Sequence, residues 1–381
     1  MKWFIFLLNK SLGTEDIKVA TASNSRVLRI IPLLITIFSL SLPAYAKYGG
    51  GDGTADDPYQ IWTPEQMNDI GVNIGDWDKH FRLMADIDMS GFDGKDGRSA
   101  YNLIGPNTDP STWDYDQYAI PFTGTFDGNG HTISHLTISG RGYTGLFCYL
   151  DPSAEVRDLG VVDVNITGVG RAVGGLAGYT RGALVTRCYS TGVVSSTGTA
   201  VGGLVGYNRG YMTHCFSEAK VHGTSYSVGG LVGESWGTIT GCYSNGAVSG
   251  TGMWVGGLVG GNYSSVTQCY STGAVSGSSD VGGLVGLSSG GIGRGDSGVT
   301  SSFWNTVTSG QTMSAGGTGK TTAEMRTAVT FLEAGWDFMD ETVNGMEDIW
   351  RILEGQDYPR LWWEAPRAKY SGGSGDPNDP Y

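Results

Sequence analysis

The chain has 381 residues, 63 of them glycine; aromatic residues make up 11% and charged residues 16%. That much glycine without a G-X-Y period excludes a collagen triple helix, and this aromatic content with so little charge excludes a disordered polymer. The formal net charge is −13. Residues 1–46 hold five of the 24 basic and two of the 37 acidic residues, so the remainder stands at −16, a surface that repels nucleic acid and anionic membranes.

Residues 1–46 read as an over-long export signal. Arg26 and Arg29 precede an apolar run from Ile30 to Leu40, and Ala44-Tyr45-Ala46 forms a small-x-small cleavage site. Initiation near Val27 would give a signal peptide of ordinary length; an uncleaved anchor is the competing reading. The run is short for a membrane span, so no membrane insertion of the mature chain is expected.

Residues 47–172 are expected to form an N-terminal cap and the first irregular rungs. Thr63-Pro64-Glu65-Gln66 predicts a helix start, with Thr63 as N-cap, Pro64 at the first position and Trp62 stapled to Met67. Strand-like segments follow at 80–89 and 122–139, with a turn at Asp127-Gly128-Asn129-Gly130. Asp86, Asp88, Ser90 and Gly91 resemble the start of a calcium loop, but Gly97 stands where that loop needs glutamate. Calcium is the one cofactor these acids suggest; solvated turns are the alternative.

The middle of the chain repeats. Cys188, Cys215, Cys242 and Cys269 are spaced by 27 residues, and each follows a GGL tripeptide ending at Leu176, Leu204, Leu231 or Leu258; Leu284 opens another copy. Each unit carries three short β-prone stretches between turn residues and shows no helical period. A fixed period of this kind means stacked units, and three strands per unit predict an all-β, right-handed parallel β-helix: five rungs over 173–305, ~4.8 Å apart and so ~24 Å tall. Parity places Cys188, Cys215, Cys242 and Cys269 inward as a structural ladder of thiols, with one or two adjacent-rung disulfides as the alternative. It places Tyr189, Phe216, Tyr243, Tyr270 and Phe303 outward as an aromatic ladder, a candidate binding face for sugar rings. Val185, Met212, Ile239 and Val266 precede the cysteines by three, the wrong parity, so a bulge or corner must intervene. The last copy has an insert, 290–298, carrying Arg294, Gly295 and Asp296, an RGD tripeptide that is a candidate recognition loop.

Residues 306–366 read as a linker, a helix and an aromatic-rich cap. The GGTGKT of 316–321 lacks the first glycine of a phosphate loop, Ser314 standing there, and reads as a glycine linker. Thr321 with Glu324 predicts one helix carrying Met325, Val329 and Leu332 to Gly335, and the pieces at both ends are read as short capping helices. The tail, KYSGGSGDPNDPY at 369–381, matches KYGGGDGTADDPY at 47–59 in eight of thirteen positions, so 367–381 is expected to begin a second, truncated module of a tandem protein.

VGGLVG followed by CYSTGAVSG resembles the GLUG-motif repeats of bacterial surface and secreted proteins. The flanking LMADIDMSG, GTFDGNGHTISHL, AGWDF and YPRLWW segments are similar to the same family, over about residues 50–365. The resemblance implies an extracellular β-helical protein with an adhesive or surface-layer role, and it brings no catalytic residues. Similar repeats occur in streptococcal immunoglobulin A metallopeptidases outside the protease domain; this chain has no HExxH. The function expected is a non-catalytic extracellular module for adhesion or surface and matrix assembly, its partner a polysaccharide or surface protein. The alternative is a carbohydrate-binding or polysaccharide-cleaving β-helix, for which Asp114, Asp116, Asp127 and His131 are the carboxylates and base to watch.

Overall fold

The computed structural model describes residues 47–106, 120–289, 298–339 and 341–364. The export-signal segment, Asp114 and Asp116, the Arg294-Gly295-Asp296 loop and the 367–381 tail all lie outside those residues.

Residues 47–320 form a parallel β-solenoid of about six turns. Two long sheets run along it, of 13 and 17 strands, and every strand pairs in parallel with its counterpart one turn away. The register follows the repeat: Val173 pairs with Val201, Val201 with Val228, Val228 with Val255 and Val255 with Val281. Side chains one period apart therefore stack in columns. Leu176, Leu204, Leu231, Leu258 and Leu284 are wholly buried along the axis. A second inward column runs Phe126, Val156, Val185, Met212, Ile239, Val266, Val299.

The parity break has a physical cause. The residue before each cysteine adopts a left-handed conformation: φ is 50° at Arg187, 54° at His214, 61° at Gly241 and 51° at Gln268. This single residue turns the chain from one sheet to the other, so side chains on both sides of it, three apart, point inward. Only Gly241 among these takes the conformation without a Cβ penalty. Arg187 gains a bidentate pair with Asp158 in the rung before it, Nη2 to Oδ2 at 2.8 Å.

At the N-terminal end, Tyr59–Ile61 is the outermost strand, pairing with His80–Leu83. The helix Pro64–Ile70 follows it and buries Met67 and Ile70 in the rung core. Its capping box is complete: Gln66 N–H donates to Thr63 Oγ1, and Gln66 Oε1 accepts from Thr63 N–H. Trp62 makes no staple; it lies half exposed over Gly49. The Asp127–Gly130 turn forms, with Asn129 N–H on Asp127 Oδ1, but it joins strands of different sheets.

The far end is closed by 306–320. Ser314 Oγ accepts from the N–H groups of Leu284 and Val285, and Thr318–Lys320 pairs with Phe303–Asn305. Within 316–321, Thr318–Lys320 thus serves as an end strand. Beyond them the single helix expected from Thr321 is instead two pieces, a 3-10 turn at Glu324–Arg326 and an α-helix at Ala328–Leu332, separated by extended Thr327. The Thr321–Glu324 cap is present, but Thr327 Oγ1 bonds back to Ala323 O, the local competition that makes threonine a poor helix-interior residue. The break lets Met325 and Phe331, which one helix would put on different faces, bury together.

Candidate functional site

The aromatic ladder points out of the solenoid, yet it is not a free face. Tyr189, Phe216 and Tyr243 stack with centroids 4.8 and 4.9 Å apart and planes within 9°, and Tyr243 stacks on Tyr270 at 4.8 Å. The C-terminal segment folds back along them. Trp363 covers Phe216 at 5.6 Å, Trp350 covers Tyr270 at 6.0 Å, and Trp336 covers Phe303 at 6.0 Å. Tyr243 and Tyr270 are left with at most 1% of their surface in solvent. The expectation of a sugar-binding ladder is thereby corrected. Stacked rings each offering ~150–250 Å² of apolar surface are best covered, and the tryptophan-rich segment supplies the cover. Polar bonds fix its position: Tyr270 Oη donates to Pro359 O at 2.5 Å, Tyr243 Oη to Glu364 Oε2 at 2.9 Å, and Arg360 Nη1 to Tyr243 Oη at 2.8 Å. Burial raises the Glu364 carboxyl above its ordinary pKa, against the pull of Arg360.

The inward cysteines are free thiols and fully buried. Each thiol donates to the carbonyl two residues back, as Cys242 Sγ does to Thr240 O at 3.2 Å, and Cys215, Cys242 and Cys269 each accept the N–H of the previous rung's cysteine, Cys215 N to Cys242 Sγ at 3.3 Å. Ser302 ends the column in the same role, taking Cys269 N–H at 3.1 Å and donating to Thr300 O at 2.7 Å. Burial pushes the Cys188 and Cys242 thiols well above their usual pKa, which suits neutral hydrogen-bonding groups. Cys242→Val should accordingly cost about 1–3 kcal/mol in urea denaturation, because the Cys215 N–H is orphaned. Cys242→Ser should cost clearly less; equal losses would contradict this role.

The acids considered for calcium close turns or pairs. Asp86 Oδ1 accepts Thr132 N–H at 2.8 Å, Asp88 Oδ1 accepts Ser90 N–H at 2.9 Å, and Asp93 pairs with Arg98. Among the described residues no three His, Cys, Asp or Glu side chains come together around a metal-sized space. Asp127 and His131 are not brought together for catalysis. Asp127 Oδ2 pairs with Arg82 at 2.8 Å and with Arg157 at 3.1 Å, while His131 faces Asp86. Burial works to raise the Asp127 carboxyl, but the hydrogen bonds from Arg82, the Asn129 N–H and Arg157 outweigh it and hold its pKa below the ordinary value.

A different surface gathers aromatic and charged groups. Beside the VGG segments, Arg171, Thr199, Tyr207, Tyr226, Glu234 and Trp254 line an open cleft of about 220 Å³. The Tyr226 and Trp254 rings meet at 45° with centroids 5.6 Å apart, and the Arg171 guanidinium lies 5.9 Å from the Tyr207 ring centre. Glu234 is oriented from both sides, its Oε1 accepting Trp236 Nε1–H at 2.8 Å and its Oε2 accepting Ser227 Oγ–H at 3.4 Å. Trp236 in turn stacks on Tyr263 at 4.4 Å. Burial, then the Glu234 carboxylate, pushes Tyr207 up to about 12. Trp254 holds φ at 65°, a conformation that costs an L residue roughly 1–2 kcal/mol. The equivalent residues of neighbouring rungs, Ala200, Ser227 and Asp280, hold φ at 52°, 59° and 51°, so the conformation belongs to the rung and not to the tryptophan.

None of these cleft residues was singled out from the sequence: Arg171, Thr199, Tyr226 and Trp254 fall just before the VGG segment, where the copies differ, and Tyr207 and Glu234 lie on the strands Val205–Thr213 and Val232–Ser235. That variation is the signal. The fold asks the same of every rung, so a tryptophan at 254, where other copies carry alanine, serine or aspartate, is not there for the rung.

Comparison with known proteins agrees with the repeat reading. The family model described as the GLUG motif matches residues 224–249 and 252–276. Halomucin of Haloquadratum walsbyi is 34% identical over 135 residues, 34% of this chain and 1% of that protein. A protein of Evansella cellulosilytica, provisionally named as a Gly-rich membrane protein, is 29% identical over 141 residues, 36% of this chain and 15% of the relative. The chain thus spans only a small part of these relatives' length. A crystal structure from Bacteroides ovatus, provisionally named as an immunoglobulin A1 protease, superposes with a TM-score of 0.60 at 22% identity, covering 84% of this chain and 96% of that one; this likeness concerns the fold. With matched motifs at two successive rungs of one continuous stack, the chain carries GLUG-motif repeats on a parallel β-solenoid.

Proposed function

We propose that this chain is a non-catalytic extracellular module that serves adhesion or the assembly of a cell surface or matrix. The observation that carries the reading is the division of its side chains. Asp127, the described carboxylate weighed for polysaccharide cleavage, is locked between two arginines, whereas Tyr207, Tyr226 and Trp254 line an open cleft, where aromatic rings can bind without reacting. A carboxylate held ionised by ion pairs is a poor general acid. The net charge of −16 beyond residue 46, and relatives named as a halomucin and a membrane protein, support a place outside the cell.

The test is a screen of the full chain against plant, algal and bacterial polysaccharides. No new reducing or unsaturated ends should appear, and Asp127→Asn should leave binding to whole cells or matrix unchanged. Release of such ends by the native chain, abolished in Asp127→Asn, would establish the cleaving alternative instead.

A further inference from the structure

We infer that the cleft between Tyr207, Tyr226 and Trp254 binds a neutral sugar ring within a glycan. The inference rests on the non-catalytic binding reading and gives it a ligand class and a place. Three properties of the cleft choose the ligand. Its walls include two tilted aromatic rings with open faces, Tyr226 being 45% exposed, and an aromatic face takes the C–H side of a pyranose ring by apolar contact. Its charged groups are one guanidinium, Arg171, and one carboxylate, Glu234. These charges balance, so a ligand of either sign meets a like charge, whereas hydroxyl groups find a donor fork on one side and an acceptor on the other. A quaternary ammonium ion, the other common guest of aromatic walls, is disfavoured because Arg171 already lies against Tyr207. The strong net negative charge of the chain weighs further against acidic glycans.

Size and preorganisation agree. A volume of about 220 Å³ lies below the ~300–1,000 Å³ of enclosed drug-sized pockets and suits one ring of a chain that continues along the surface. The exposed Trp236–Tyr263 stack lies next to the cleft through the Trp236–Glu234 bond and offers a second platform for a neighbouring ring. The left-handed conformation at Trp254 is shared by Ala200, Ser227 and Asp280, so the rung sets the backbone there and the tryptophan side chain is what this copy adds.

The experiment uses the full chain and a glycan array carrying neutral, uronic and sulfated glycans, followed by tryptophan-fluorescence titration with neutral oligosaccharides, methyl hexopyranosides and choline. Neutral glycans should bind. Trp254→Ala and Tyr226→Ala should each weaken binding roughly tenfold or more, as loss of a central aromatic contact does. Thr199→Trp, which fills the cleft while keeping every stacking ring, should give the same loss. Thr199 and Tyr226 lie on surface bends and Trp254 within the strand Val248–Gly256, and unchanged melting would confirm an intact fold. The proposal is overturned if no neutral glycan binds, if binding persists in Trp254→Ala and Thr199→Trp, or if choline or acidic glycans bind in preference. Absence of glycan binding with attachment to cells retained would sink the cleft and leave the module reading standing. Release of reducing ends, with binding still lost in Trp254→Ala, would do the reverse.

Discussion

Trp336→Ala is expected to destabilise the C-terminal cover by about 3–5 kcal/mol, the range for truncating a fully buried large aromatic residue. Trp336 has no exposed surface. Its ring lies 4.7 Å from Phe331 and 4.6 Å from Trp350, and its Nε1–H donates to Ser301 O at the last rung corner at 2.8 Å. Truncation removes the ring contacts and orphans that corner carbonyl. The rungs have their own core, which shares no buried residue with the cover. Unfolding should therefore become biphasic in urea, with 321–364 becoming protease-sensitive and the Tyr243 and Tyr270 rings exposed to dye before the rungs melt. A loss below about 1 kcal/mol, or a single transition that takes the rungs with it, would contradict this division.

Gly229→Ala is expected to cost about 3 kcal/mol or more, at the upper end for overpacking. A Cβ at Gly229 would lie 2.0 Å from Val232 O and 2.7 Å from Gly260 N in the next rung. Both are backbone atoms, pinned by the ladder, so nothing flexible can yield. The same clash recurs at Gly202 and Gly256, which is why the first glycine of GGL appears in every copy. Taken alone, replacing glycine by alanine stabilises by roughly 0.4–1 kcal/mol through the unfolded chain. Gly91→Ala, where a Cβ would meet nothing within 4 Å, is thus the internal control and should be neutral or slightly stabilising. Similar melting of both variants would show that close rung contact is not what the glycine serves.

The rungs were legible in the sequence because every copy obeys the same constraint, and a 27-residue period reports it repeatedly. The inward valines and cysteines followed from parity alone. The corner was legible as a parity conflict between Ile239 and Cys242, though not as the left-handed Gly241 that resolves it. The cover over the aromatic ladder was not legible, because alternation says which way Tyr243 points and nothing about what meets it there. The unused clue was the excess of tryptophan at 336, 350 and 363, which needs an apolar partner larger than a short end cap provides. The helix from Thr321 failed because its start signal was real but local, and Thr327 ended it. The cleft escaped because Tyr226, Glu234 and Trp254 stand where copies differ, and a period-seeking reading averages such positions away.

The central claim is that successive repeats lie one strand spacing apart in register. It is tested most directly by spin labels at 193, 220, 247 and 274, exposed positions of which 193 pairs with 220 and 247 and 274 directly precede the paired Val248 and Val275; they leave the buried native thiols untouched. Taken pairwise from 193, dipolar coupling should report a separation that grows by about 4.8 Å for each added 27 residues. Distances that fail to rise in even steps, or that reach tens of ångströms between adjacent repeats, would contradict the stacked solenoid.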